Sequence, residues 1–281
     1  MRQILLSHFQ AALLLRARNT GEQQATVSLD LGLTSDEVIL EGGGVCFPDG
    51  QVLSWEQVES IQSTENSCFI VEQGGLSKVQ FFSEQTNLLY ALMPTAGAPT
   101  MLVSGIPMHR IKGTDPMRDT DEKIKVIQPL VGEVLDTATG LGYTAIRAAD
   151  TAEHAVTIEL DPSALEVARC NPWSRGLFDN PKITQMMGDS FDLVAKFEAD
   201  RFNRIIHDPP AFSLAGDLYS GAFYRQLYRV LRPGGRLFHY IGDPKSRSGR
   251  NITAGAIERL RKAGFGNVRR APRAFGVVGY K

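Results

Sequence analysis

The chain has 281 residues, 43% of them hydrophobic and 22% charged, and a formal net charge of −1. This is an ordinary globular composition, long enough for one large or two modest domains, and no apolar run of roughly 18 residues or more offers a membrane span. Cys46, Cys68 and Cys170 have no metal-ligand spacing, and their odd count argues against a disulfide framework. Reduced thiols, together with a Met1–Leu15 stretch that lacks a small-residue cleavage site, point to a cytoplasmic protein.

Residues 1 to about 105 show no helical repeat. Short alternating or β-branched runs (Ala25–Leu31, Glu37–Leu40, Cys68–Glu72, Val79–Phe82) are separated by glycine turns, and Pro48-Asp49-Gly50 signals a hairpin between Val45-Cys46-Phe47 and Val52-Leu53. A small β-rich domain over 1–105 with one short helix near Glu56–Ile61 is the expectation. Ser7-His8 and Gln10 read as interruptions of the apolar N-terminal stretch. Residues 106–121, polar and with two prolines, read as a linker, and Glu122–Leu130 as a helix.

From there strands and helices alternate. Strands are expected at 133–138, 155–160, 183–187, 203–207 and 236–241. Helices are expected at 143–152, 162–171 (opened by Pro162), 191–199, 220–232 (stopped by Pro233-Gly234-Gly235) and 253–263. Two short strands near 267–270 and 275–280 close the chain. Strict alternation predicts an α/β fold: a doubly wound, mostly parallel, seven-stranded Rossmann-like sheet over 122–281, behind the β-rich N-terminal domain. Ligands of such folds bind beyond the carboxyl ends of the strands.

The first strand ends Val134-Leu135-Asp136 and runs into Thr137-Ala138-Thr139-Gly140-Leu141-Gly142. A dinucleotide turn, G-x-G-x-x-G, would need a third glycine where Tyr143 stands, and Ala138 occupies its first slot. The pattern D-x-A-x-G-x-G instead resembles motif I of class I S-adenosylmethionine (AdoMet)-dependent methyltransferases, with Ala138 a mild departure. That resemblance implies a cofactor held by Asp136, Ala138, Gly140, Gly142 and Tyr143. Glu159, closing the second strand, suits the paired hydroxyls of a ribose, which can donate two hydrogen bonds to one carboxylate. Asp161 competes for that role but also suits capping of the helix at Pro162. At the third strand end, Gly188-Asp189-Ser190 matches the family position where an acid accepts the adenine amino group. Capping of the next helix is the rival reading of Asp189.

The fourth strand ends His207-Asp208-Pro209-Pro210-Ala211-Phe212. This resembles motif IV, [D/N/S]-P-P-[Y/F/W], of methyltransferases acting on planar or amide nitrogens. Such a nitrogen has a delocalised lone pair; a carboxylate and a proline-held carbonyl accepting both N–H bonds would aim it at a methyl group. Asp208, Pro209, Pro210 and Phe212 are the catalytic candidates. Phe212 lies one place later than the aromatic the motif expects, because Ala211 fills that slot. No cysteine stands at the fourth or fifth strand exit, which disfavours cytosine C5 chemistry.

Taken together, residues 105–281 resemble an uncharacterised methyltransferase group common in archaea. The matching segments are Met108-His109-Arg110, Leu135–Ala145, Asn171-Pro172-Trp173-Ser174, His207–Pro210 and Phe238–Pro244. The resemblance implies AdoMet as cofactor and leaves the acceptor open. Residues 225–281 carry 14 Lys/Arg against two acids, a local balance of +12, and the remainder 16 against 29, a balance of −13. Arg225, Arg229 and Arg232 on one helix face, with Lys245, Arg247 and Arg250 beyond the fifth strand, suit a phosphate backbone. N-methylation of an exocyclic amine of RNA is therefore the first expectation. The alternative is methyl or aminopropyl transfer to a small amine, metabolite or protein side chain, and a third reading is a non-catalytic AdoMet-binding module. His207 and His239, at adjacent strand ends, are candidate bases or simply hydrogen-bonded core histidines. With no Cys/His/carboxylate cluster at ligand spacing, no metal is expected.

Overall fold

The computed structural model describes residues 3–211, 215–243 and 246–281, so the expectations for Phe212 and Lys245 lie outside the described residues. The chain forms two compact units: one up to Met117 together with Glu166–Arg175, the other Arg118–Leu165 with Gly176–Lys281.

The first unit is β-rich. Its strands form one three-stranded and two four-stranded sheets, all paired antiparallel. The expected hairpin pairs Gly44–Cys46 with Val52–Ser54, and the expected short helix spans Trp55–Gln62. A second helix, His8–Asn19, corrects the reading of the N-terminal stretch. Ser7 and Gln10 start it, because Ser7 is the N-cap and its N–H donates to Gln10 Oε1 at 2.9 Å, a reciprocal capping box. Ala11, Leu14 and Ala17 turn inward and join Leu40, Leu53, Val58 and Phe69 in one core. The Asn171–Ser174 segment belongs to this unit, and the Trp173 indole N–H donates to the Leu31 carbonyl at 3.0 Å.

The second unit is a seven-stranded sheet of Glu133–Asp136, His154–Glu159, Ile183–Met187, Phe202–His207, Leu231–Tyr240, Gly266–Ala271 and Gly276–Tyr280. In space the order is third, second, first, fourth, fifth, seventh, sixth. The first five are parallel; the seventh runs antiparallel between the fifth and sixth. Alternation along each strand sorts the two faces. Leu135, Val156, Ile205, Leu237 and Val277 pack with Val194, Leu227 and Leu260 of the helices Ser190–Lys196, Gly221–Val230 and Arg247–Lys262. Their neighbours Val134, Ala155, Ile206, Phe238 and Val278 face Ile124, Ile127 and Ala148 of the helices Pro116–Ile127 and Tyr143–Ala149. A sheet greasy on both sides, wrapped by helices on both sides, is the doubly wound α/β architecture.

Three boundaries differ from expectation. The helix expected from Glu122 begins at Pro116, inside the stretch read as a linker. The helix expected over 220–232 ends at Val230, and Pro233-Gly234-Gly235 lies inside the fifth strand. There Leu231 pairs with Phe202 and the register shifts before Arg204. The Pro-Gly-Gly run is thus a bulge-like detour in a strand edge rather than a turn. The last long helix starts at Arg247, capped by the Ser246 hydroxyl, which accepts from Gly249 N–H. Among the described residues no helix is long and apolar enough to cross a membrane.

Candidate active site

Between the first and fourth strands the sheet order reverses; at such a switch point of a doubly wound sheet the departing loops diverge and leave a crevice, here called the cleft. The glycine turn forms one wall. Gly140 and Gly142 have φ of 51° and 76°, left-handed values that side chains resist. At Gly142 an added Cβ would also sit 2.7 Å from Leu177 Cδ2, so glycine is needed there for its own packing. The turn is tied down by backbone bonds: Thr137 N–H to Ile206 O at 3.0 Å and Thr139 N–H to Ile158 O at 2.9 Å. Tyr143, bulky where a dinucleotide turn would want glycine, is buried and opens the following helix.

Glu159 reaches back across this turn. It accepts from Gly140 N–H at 2.8 Å and from Leu160 and Asp161 N–H at 3.0 and 3.2 Å. A carboxylate offers about four lone-pair positions, so about one remains for a ligand hydroxyl. Burial pushes its pKa up, against the pull of these N–H groups. Asp161 accepts from Ser163 N–H at 2.9 Å, the helix-capping role of its two readings. Asp136 is fully buried: its Oδ2 takes the Thr144 and Thr157 hydroxyls at 2.9 and 3.1 Å, while Oδ1 has no hydrogen-bond partner. Burial raises it to about 7, opposed by the two hydroxyls and reinforced by Asp208. Asp189 caps Ser190–Lys196, accepting from Phe191 N–H at 2.8 Å with its side chain at the surface, and the Ser190 hydroxyl donates to Thr137 O at 2.7 Å.

The other wall centres on Asp208, and here the structure supplies what sequence reading missed. Lys123 Nζ donates to Asp208 Oδ2 at 2.5 Å and lies 2.9 Å from Asp119 Oδ2, with the lysine side chain only 1% exposed and Asp208 16%. It also stands 4.6 Å from the centre of the Tyr240 ring. Burial lowers the lysine pKa, but Asp208 and Asp119 outweigh it and hold the ammonium protonated far above neutrality. The signal was present in the sequence: buried positions 116, 119, 120, 123, 124 and 127 form one helical stripe, and three of them are the polar Asp119, Thr120 and Lys123. Reading 106–121 as a linker hid that periodicity.

Pro209 and Pro210 leave the strand behind Asp208, and the Tyr219 hydroxyl donates to Pro210 O at 3.0 Å. The histidines are structural. His207 donates through Nε2–H to Leu218 O at 2.9 Å, since a carbonyl only accepts, so its Nδ1 accepts the Thr137 hydroxyl at 2.7 Å. His239 donates through Nδ1–H to His207 O at 3.2 Å and accepts the Tyr224 hydroxyl at 2.8 Å. Burial drives His207 down to about 3 and His239 well below its usual value. Both rings are neutral at pH 7, with each nitrogen engaged.

The basic face is partly accounted for. Arg229 caps the end of Ser190–Lys196, donating to Phe197 O at 2.7 Å, Val194 O at 3.0 Å and Ala195 O at 3.1 Å. Arg232 donates to Asp200 O at 2.8 Å. Both lie where the fifth strand enters the sheet, the edge opposite the cleft, while Arg225 and Arg250 are at the surface. Among the described residues no group of three or more His, Cys, Asp or Glu could hold a metal.

A family model described as a methyltransferase domain matches residues 134–235. An uncharacterized protein of Methanocaldococcus jannaschii, MJ1233, is 41% identical over 269 residues, covering 94% of this chain and 91% of its own. A polyamine aminopropyltransferase of Aeropyrum pernix is 34% identical over 88 residues, 30% of this chain and 28% of its own. Among solved structures, a spermidine synthase in complex with the transition-state analogue AdoDATO matches with a TM-score of 0.58 at 22% identity, covering 71% of this chain and 72% of that one, a likeness of fold.

Proposed function

We propose, from the premise that this chain belongs to one family with the M. jannaschii protein and is an AdoMet-dependent transferase, that it methylates the nitrogen of a small cationic amine. The observation that carries this reading is the charge of the acceptor wall. Asp119 and Asp208 outnumber Lys123, and Asp136 lies beside them, so the wall attracts a cation and repels a phosphate. The polyamine aminopropyltransferase likeness supports a small amine acceptor in preference to RNA. So does the engagement of Arg229 and Arg232 by backbone carbonyls.

The residues fit the cofactor on two observations: a tight turn whose Gly140 and Gly142 hold left-handed backbone, and acceptors at half-buried Glu159 and at the unpartnered, buried Asp136 Oδ1. Gly140 and Gly142 would border it, with Ala138 and Tyr143 framing the turn. Glu159 would take a ribose hydroxyl, Asp189 and Ser190 would border the adenine, and Asp136 would face the methionine portion. When bound, AdoMet supplies an electrophilic methyl carbon on a sulfonium. Asp208 accepts an N–H of the acceptor and turns its lone pair toward that carbon. An alkylammonium must first lose a proton, and the partly exposed Asp208 gives that proton a path to water. Aminopropyl transfer from a decarboxylated donor is the second reading, favoured by the Aeropyrum pernix likeness.

The test offers labelled AdoMet and, separately, decarboxylated AdoMet to the purified protein with diamines, triamines or bulk tRNA and rRNA. Label in the amine fraction from AdoMet is expected. Product from the decarboxylated donor alone would substitute the second reading, and label only in RNA would overturn both.

A further inference from the structure

We propose that Lys123 is a positioning residue: clamped between Asp119 and Asp208, its buried ammonium keeps two neighbouring carboxylates ionised together and leaves the trio one negative charge with which to meet a cationic acceptor. The inference deepens the amine-transfer reading and rests on it for the acceptor alone; the charge-holding role stands on geometry.

The helix explains why all three meet. Asp119 and Lys123 are four apart on Pro116–Ile127 and share its buried stripe, so the lysine cannot swing out to water. Its Nζ has one carboxylate at 2.9 Å on its own helix and another at 2.5 Å from the fourth strand end. The Tyr240 ring face lies 4.6 Å away and adds cation–π attraction. Two carboxylates so close to one another, Asp119 out of water and Asp208 largely so, would share a proton without a cation between them. Asp136 adds a further acid on the first strand, and Tyr219 supplies a buried phenol from the loop after the fourth. The Asp136 carboxylate, where ionised, opposes a charge on Asp208, and the Lys123 ammonium counters that repulsion. Asp119 has a separate task. It balances the ammonium, so that the three side chains together carry one negative charge; an acceptor ammonium would then complete an alternating row of minus, plus, minus, plus.

The obvious ways to break this row have different signatures. Lys123→Met keeps the length of the side chain and removes the charge. In the full-length protein without acceptor, the Asp208 carboxyl resonance, identified with Asp208→Asn and followed by carbon-13 NMR, should titrate at least about one pH unit higher in Lys123→Met than in wild type. The acid limb of kcat/KM should move up with it, while AdoMet affinity stays within about threefold. An Asp208 resonance that titrates as in wild type overturns the proposal, because a merely structural lysine would leave it there. Asp119→Asn keeps the Lys123–Asp208 bond and serves if Lys123→Met does not fold. It should raise KM for a diamine by roughly tenfold with kcat within about threefold, and an unchanged KM overturns the proposal. Wild-type protein inert toward every amine, with the NMR shift intact, would sink the acceptor assignment and still support the role of Lys123.

Discussion

On one side of the cleft, Gly140 and Glu159, 19 residues apart, are joined through a backbone N–H, and Glu159 takes two more N–H groups from its own strand exit. On the other side, Asp208 is joined to Lys123 across 85 residues by a side-chain ion pair. The first wall needs little more than a strand, a turn and an acid, because every amino acid brings an N–H. The second needs particular side chains from a helix, a strand end and a loop, mostly buried and dependent on one another's charges. The proposed cofactor side is therefore robust to substitution of its neighbours, whereas the proposed acceptor side fails as a unit.

The sharpest way to break this contrast is Asp208→Asn. Turnover should fall by about 10²- to 10⁴-fold, the usual contribution of a positioned acid or base, while AdoMet binding by calorimetry stays unchanged. Unchanged turnover would move the acceptor contact elsewhere.

Next comes pH. Asp136 titrates near 7 in the fold against about 4 in the unfolded chain, so the folded form holds this proton more tightly. Its stabilising contribution is complete below about pH 4 and declines as pH rises through 7, by an amount on the order of 4 kcal/mol. Asp136→Asn cannot titrate, and relative to wild type it should gain stability between pH 4 and 8 in urea unfolding. A wild-type-to-variant difference that stays flat over that range would refute the raised pKa.

The smallest effect is expected at Glu159→Gln, which keeps an acceptor oxygen and removes the charge. AdoMet affinity should weaken by roughly tenfold, near the worth of one charge-assisted hydrogen bond, with kcat little changed once cofactor saturates. A larger fall in kcat than in affinity would place Glu159 on the acceptor side and blur the distinction between the walls.

How far the sequence could be read follows the same division. The five parallel strands and the turn at Gly140–Gly142 declare themselves within a few residues, because strand periodicity and glycine turns are local. So did the Ser190–Lys196 helix, although capping by Asp189 ends up as its visible role. The N-terminal helix was missed because Ser7 and Gln10 resemble a break unless read as a capping box. Pro233-Gly234-Gly235 misled in the opposite direction, since pairing of Leu231 with Phe202 carries the strand through it. Arg229 looks like a phosphate ligand on a helical wheel, but the carbonyls it caps lie 32 to 35 residues away.

The sequence by itself determined the alternation of strands and helices, the backbone turn and the acid that answers it, since each depends on contacts between near neighbours. Only the tertiary structure decided that a lysine on one helix would be sealed between two aspartates, that two histidines would be neutral, and that Arg229 and Arg232 of the basic face would bond to the protein itself. Those outcomes depend on burial and on partners far away in the chain, and the same side chains left in water would behave as ordinary solvated charges.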